Sequence, residues 1–238
     1  MSTFFRFPHI PHLAWLGAGA PRDDKVLAPT DVRALLSGDV VVEEKIDGAN
    51  LGISLGRDGG LRFQNRGQYI QAPFSGQFQR LGTWLSQHQS AVSDALTEDQ
   101  IAFGEWCTAR HSVAYDRLPD WFVLFDVYDR TTAQFMSTER RNSFAARAEI
   151  AVVPSLFRGH TSLAALKELL LTTSSRYRTG TIEGFVIRRE SGDWLRSRAK
   201  LVHPDFVQNI GEHWRQRRIE WNRVQGASID SPRTRSQP

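Results

Sequence analysis

The chain carries 26 arginines but only four lysines: Lys25, Lys45, Lys167 and Lys200. Against so strong a bias, a lysine inside a charged motif marks chemistry that arginine cannot perform. Arginine stays protonated, whereas a lysine can lose its proton and act as a nucleophile. Lys45 stands in such a motif, VVEEKIDGAN at 41–50. On an extended strand Glu43, Lys45 and Asp47 share one face, and Glu44 and Ile46 share the other. A lysine at a strand end, followed by a glycine turn, is held rigidly and can face a cleft. Taken by itself the fragment also fits a surface lysine in a charged hairpin. Metal-thiolate chemistry has no support, because Cys107 is the only cysteine. His9 and His12 are three apart in an arm with no evident third ligand.

The elements that would hold these residues alternate short strands with helices. VVVEEKI (40–46), a tight turn at Asp47-Gly48, and NLGISLG (50–56) read as two successive strands of a hairpin. LRFQNRG (61–67) reads as a third strand. A helical period runs over 76–96, and IAFGEWC (101–107) is strand-like again. WFVLFDVYD (121–129) is nearly continuously apolar, as in a buried strand. Ser137 is placed to cap a helix through about Glu149, and Thr161 to cap another over 162–171. GTIEGFVIRRES (180–191) and DWLRSRAKLV (193–202) form a strand pair. Residues 1–30 read as an extended arm, 204–224 as a helix rich in Arg and Trp, and 226–238 as a disordered polar tail. The expected architecture is α+β, with antiparallel sheets flanked by helices and one domain over 1–225.

Composition bounds the function classes. The 238 residues are 40% hydrophobic and 24% charged, an ordinary globular balance. No apolar run is long enough for a membrane-spanning helix, and a cytoplasmic location is the default for a chain with a single cysteine. The formal net charge is +4. From Arg176 onward 13 Arg/Lys face 7 Asp/Glu, a local net of +6, so the rest of the chain is slightly acidic. Such asymmetry points to a phosphate-rich partner, or to a solvated basic face with a frayed tail. Trp194, Trp214 and Trp221 lie among arginines, a mixture that suits either packing on a sheet or stacking on nucleic-acid ends. Arg215, Arg217 and Arg218 would then face phosphates.

The ordered motifs resemble those of the covalent nucleotidyltransferases, which include ATP-dependent RNA and DNA ligases and mRNA capping enzymes. Lys45-Ile46-Asp47-Gly48 matches the nucleotide-accepting lysine motif. Asn65-Arg66-Gly67 resembles the arginine motif that follows it. FGEWCTARHS (103–112) with Glu105, and WFVLFDVYD with Phe125 and Asp126, resemble the next two. IEGFVIR (182–188) with Glu183 resembles the fourth, and Arg198-Ala199-Lys200 the fifth, where the family usually has two lysines. PHIPHLAW near the start and the GEW…RHS…FDVYD wording are closest to the RNA-ligase branch. The resemblance covers residues 5–205.

The resemblance implies a nucleotidyltransferase fold (the ATP-grasp-like ligase fold) and a three-step reaction. Lys45 attacks the α-phosphate of ATP, AMP passes to an RNA 5′-phosphate, and a 3′-hydroxyl then attacks the activated end. It assigns Lys45, Lys200 and Glu183 to catalysis. It places Glu44, Asp47, Arg66, Glu105, Phe125 and Arg198 with them around the nucleotide. Lys200 would touch the α-phosphate, Glu183 would hold Mg2+ or Mn2+, Glu105 and Arg66 the ribose, and Phe125 would stack on adenine. Asp47 would position the nucleophile or a metal-bound water. Each role has a plain alternative: Glu183 could pair with Arg188 or Arg189, Glu105 and Arg66 could form a surface ion pair, and Phe125 could be core. His111 is site-adjacent or an ordinary surface histidine. A free lysine has a pKa of about 10.4, so step one requires nearby cations to outweigh Glu43 and Asp47.

The implied activity is ATP-dependent RNA sealing in RNA repair, on RNA carrying 5′-phosphate and 3′-hydroxyl ends. An RNA end-healing kinase–phosphatase would be the natural partner. The stretch after Lys200 is too short for the C-terminal OB domain of DNA ligases and capping enzymes, so none is expected. A ligase fold retired to nucleic-acid binding, a DNA ligase and a GTP-using capping-type enzyme are the alternatives.

Overall fold

The computed structural model describes residues 4–19, 26–208 and 219–226. Two mainly antiparallel sheets face each other across a cleft. In the smaller sheet, β1 (Val40–Glu44) lies between β9 (Ser155–Gly159) and β10 (Gly184–Ser191), and β11 (Trp194–Val202) pairs with β10. The larger sheet runs in the order β4 (Tyr69–Ile70), β3 (Leu61–Gln64), β2 (Ala49–Leu55), β5 (Gln100–Trp106), β6 (Phe122–Asp129), β7 (Gln134–Phe135). A short strand, β8 (Ala151–Val152), adds to β6 in parallel.

Period-two alternation gives each central strand two unlike faces. In the larger sheet Leu51, Ile53, Ala102, Trp106, Phe122 and Leu124 point away from the cleft. They form one core with Trp84 and Val92 of α2 (Leu81–Ala95) and Phe144, Ala145 and Ala148 of α3 (Thr138–Ala148). In the smaller sheet Val40, Val42, Phe185, Ile187, Ala199 and Leu201 pack on Leu35 of α1 (Pro29–Leu36) and on Leu166 and Leu170 of α4 (Leu163–Thr172). Full burial of each such side chain contributes roughly 1.5–3 kcal/mol. The residues between them in sequence, including Glu43, Asn50, Glu105, Phe125, Arg188 and Lys200, are left to the inner faces and border the cleft.

The helix ends follow local chemistry. Ser137 caps α3 by accepting from the Arg140 amide, as its sequence position predicts. Ser162, rather than Thr161, caps α4 by accepting from the Ala165 amide. The 76–96 period resolves into a 3₁₀ turn at Gly76–Phe78 followed by α2. The start of α1 is set by Pro29 in its first turn.

Two sequence expectations are corrected. The 40–56 segment is not a hairpin: β1 and β2 belong to different sheets, and residues 45–48 carry the chain from one to the other. Asp47-Gly48 had the composition of a hairpin turn, but β1 finds its partners in β9 and β10. Of the expected helix over 204–224, Pro204–Gln208 form α5, residues 219–224 are extended or turn, and residues 209–218 lie outside the described residues. Backbone bonds from Arg110 to Glu220 and from Asn222 to Thr108 hold that strip against the β5–β6 connection. Trp214, Arg215, Arg217, Arg218 and residues 227–238 of the expected tail lie outside the described residues.

Candidate active site

The sheet-to-sheet crossover places Lys45 on the floor of the cleft. Its amide donates to the Gly184 carbonyl (2.9 Å), tying it to the start of β10. Ile46, next along, is 3% exposed and packs in a separate core with Tyr115, Leu118 and Val123. Lys45 is thereby turned into the cleft while its neighbour is anchored behind it. Gly48 must approach β5 closely: a Cβ there would lie 2.8 Å from the Trp106 carbonyl oxygen and 3.2 Å from Cys107 Sγ.

Lys45 Nζ donates to both oxygens of Glu183, at 2.7 and 2.8 Å. Glu183 precedes β10 in a bend. It is therefore not in the strand alternation with Phe185, which faces the core. It pairs with neither Arg188 nor Arg189. Gly184 makes the bend possible, because a Cβ there would collide with the Leu201 carbonyl oxygen and sit 3.0 Å from Val202 Cα. Both obstacles are backbone, so Gly184→Ala is expected to cost about 1–3 kcal/mol and to lower the melting temperature in a thermal scan. An unchanged melting temperature would show that the sheet has slack here.

A cavity of about 320 Å³ opens above the ion pair. Lys45, Asp47, Arg66, Glu105, Phe125 and Lys200 all border it. Lys200 comes from β11, where its amide donates to the Pro11 carbonyl and its carbonyl accepts from Leu13. Arg66 comes from the β3–β4 connection and Glu105 from β5. Phe125 is half-buried and meets Phe7 edge-to-face at 5.2 Å. The Asp47 carboxylate accepts from the Ser112 and Val113 amides (2.7 and 3.1 Å) and so also holds the β5–β6 connection.

Glu44 and Arg198 are placed differently from the other residues expected around a nucleotide. The Glu44 side chain points to the opposite face of β1, where it accepts from Ser175 Oγ (2.5 Å) and the Arg176 amide (3.1 Å). Strand alternation requires this, since Lys45 faces the cleft. Arg198 does not border the cavity; its guanidinium pairs with Asp126 and lies over the rings of Phe7 and Phe135. His111 bonds Gln77 (2.8 Å) outside the cavity lining, His9 borders the cavity, and His12 is buried against Trp15. Trp194 and Trp221 pack against Arg140 and Arg80 respectively.

Electrostatics in the cleft oppose the simple expectation for a nucleophilic lysine. Burial works against its charge, but Glu183, Asp47 and Glu105 together overcome that and hold Lys45 protonated well above its ordinary value. Glu43 is neutralised elsewhere, by Arg141 at 2.6 Å. Burial pushes Glu183 up to about 7, with Lys45 and Lys200 opposing the rise. Burial likewise pushes Glu105 up to about 8. Glu105 Oε2 and both amide atoms of Asn50 are buried with no hydrogen-bond partner among the described residues. Unsatisfied groups beside a cavity fit a polar ligand that completes them. Among the described residues no group of three His, Cys, Asp or Glu is arranged to hold a metal ion.

The shift at Glu105 predicts a pH effect on stability. The folded carboxyl keeps its proton to about 8, whereas its ordinary value is 4.5. Between those values the folded state binds more protons than the unfolded chain, so this contribution is full below 4.5 and lost as pH rises through 8. Glu105→Gln removes the titration. Its melting temperature should gain several degrees on the wild type between pH 5 and pH 9. A constant difference between the two proteins would refute the buried, proton-retaining carboxyl.

Nothing in the sequence singles out Arg141, Tyr115 or Asn222. Asn50 alone had a local signal, since it lies two residues beyond Gly48 at the start of a strand.

A profile of the RNA ligase family matches residues 38–202, from the start of β1 to the end of β11. No curated protein matches the sequence. Among solved structures, a Naegleria gruberi RNA ligase with pyrophosphate superposes with a TM-score of 0.60 at 16% identity, over 75% of this chain and 53% of that one. A single-residue variant of the same ligase, with ATP and Mn, gives 0.59 at 16% identity, over 75% and 54%. An archaeal ATP-dependent RNA ligase gives 0.56 at 20% identity, over 83% and 48%. The chain thus spans about half the length of these structures. With a family match that runs through both sheets and every cleft-lining strand, the chain belongs to the RNA ligase family.

Proposed function

We propose that this protein is an ATP-dependent RNA ligase that forms a covalent lysyl-AMP at Lys45, passes AMP to an RNA 5′-phosphate and seals that end to a 3′-hydroxyl. The observation that carries the reading is the partly buried bidentate contact of Lys45 with Glu183, at the floor of a cavity that Lys200 and Arg66 share.

The residues fit a nucleotide. Lys200 and Arg66 supply positive charge for phosphates, and the unpartnered Asn50 and Glu105 atoms supply polar contacts for the nucleoside. Phe125 offers a ring face at the same cavity, consistent with adenine stacking. In the first step Lys45 Nζ bonds to the α-phosphorus, and the bond from that phosphorus to the bridging oxygen breaks. Pyrophosphate leaves with the electron pair, and the lysine proton passes to solvent. Lys200 stabilises the charge that builds on the phosphate oxygens.

Glu183 would supply a hard carboxylate oxygen to Mg2+ or Mn2+. A divalent cation there would cancel the attraction that keeps Lys45 protonated, and so free the amine. Glu44 contributes to the site through its backbone, and Arg198 by holding Asp126 at the cavity wall beside Phe125. The same reading includes RNA repair in the cytoplasm and a kinase–phosphatase that prepares the ends.

The test is incubation with α-labelled ATP and Mg2+ or Mn2+, followed by acid and denaturing electrophoresis. A labelled protein band, and sealing of RNA with 5′-phosphate and 3′-hydroxyl ends, are expected. No adduct with any nucleotide would leave a nucleic-acid-binding relative. Labelling by GTP alone would indicate capping-type chemistry, and sealing of nicked DNA alone a DNA ligase.

A further inference from the structure

The nucleophile motif is held from behind by a relay that begins near the far end of the described chain. Tyr115 is 3% exposed, and its hydroxyl accepts from the Asp47 amide at 2.8 Å. Asp47 in turn grips the same connection by accepting from Ser112 and Val113. The crossover that carries Lys45 is therefore clamped at three points by the 107–118 segment.

That segment is clamped by Asn222, which is 4% exposed. Its side-chain oxygen accepts from the Tyr115 amide (2.9 Å), and its side-chain nitrogen donates to the carbonyls of Cys107 (2.8 Å) and Ala109 (3.2 Å). Its own amide donates to Thr108, and the Arg223 amide donates to the Tyr115 carbonyl (both 2.9 Å). Val224 packs in the core that contains Ile46 and Tyr115. A single buried amide side chain therefore satisfies three backbone groups of a segment that lies outside the strands of both sheets. Neither Tyr115 nor Asn222 lines the cavity.

We propose that Asn222 and Tyr115 are positioning residues for the nucleophile: the Asn222–Tyr115–Asp47 relay fixes the crossover so that Lys45 lies in line for attack on phosphorus. The inference rests on the reading of Lys45 as the nucleophile. Misplacement of a reacting atom by a fraction of an ångström lowers the rate of a displacement without weakening ligand binding. The relay therefore acts on the covalent step and leaves ATP binding alone.

The experiment measures single-turnover self-labelling by ATP below the unfolding transition, for wild type, Tyr115→Phe, Asn222→Ala and the double variant. Tyr115→Phe removes only the acceptor for the Asp47 amide. It should label at least about tenfold more slowly at saturating ATP, with the half-saturating ATP concentration within about twofold of wild type. Asn222→Ala should show the same split. The double variant should be little slower than the worse single one, because the two residues act in one chain. If Asn222→Ala fails to fold, Tyr115→Phe decides alone. Wild-type rates in Tyr115→Phe, or a loss confined to ATP half-saturation, would overturn the relay while leaving Lys45 as nucleophile. A wild type that does not label would overturn both.

Discussion

Lys45→Ala is expected to abolish ATP-dependent self-labelling, with a loss of roughly a thousandfold or more, while the protein stays folded. The side chain lies in the cavity and takes no part in either core. Its removal strands Glu183, but burial already pushes that carboxyl up to about 7. Without the ammonium, Glu183 takes up a proton instead of remaining a buried charge. Lys45→Arg should be equally inactive, because a guanidinium keeps its proton. Glu183 and Asp47 hold the amine protonated well above its ordinary value, so the wild-type labelling rate should climb with pH between 6 and 9. A rate flat across that range would mean that deprotonation of Lys45 does not limit the step. A surviving adduct in Lys45→Ala would remove the nucleophile assignment altogether.

The second large effect concerns stability. Arg141 is fully buried, and its guanidinium forks onto the Glu43 carboxylate at 2.6 and 3.1 Å. It also donates to the Phe125 carbonyl at 2.8 Å. Beside it Arg188 pairs with Asp126 at 2.7 Å and Glu190 at 3.1 Å, and Arg198 closes onto Asp126. Three arginines and three acids thus join β1, β6, β10 and β11 to α3, and Glu43, Asp126 and Arg188 among them line the cleft. Arg141→Met should cost about 3–5 kcal/mol, because Glu43 is left with Arg188 alone, at 3.8 Å. For a chain of this size that is a drop of roughly 10 °C in melting temperature. Arg141→Met combined with Glu43→Leu should recover much of the loss, since no buried charge is then stranded. A double variant as unstable as the single one would show that Arg141 acts by packing, and not by charge compensation.

The two effects separate what is local from what is not. Strands 40–44, 122–129, 184–191 and 194–202 were legible because short β-branched and aromatic runs, continuous or alternating, have few alternatives. The cap at Ser137 was legible because an N-cap is satisfied within its own turn. Lys45, Glu183 and Lys200 were legible as residue types in motifs that resemble a known family. The relation between β1 and β2 was not. A strand, a glycine turn and another strand describe a hairpin and a sheet-to-sheet crossover equally well, and only the competing partners β9 and β10 decide between them.

The sequence alone therefore determined which side chain is the nucleophile candidate and the strand alternation that turns Glu43, Glu105 and Lys200 to the cleft. Tertiary structure decided where each charge is spent. Glu43, adjacent in motif to Lys45, is consumed by Arg141 from a helix 98 residues away, while Glu183, 138 residues distant, closes on Lys45 itself. Arg198 is drawn to Asp126 instead of the cavity, and Glu44 to Ser175 on the reverse face. The physical reason is that buried charges must be paired wherever the packed sheets bring a partner. That partner is chosen by distance in space, which the order of residues along the chain does not encode.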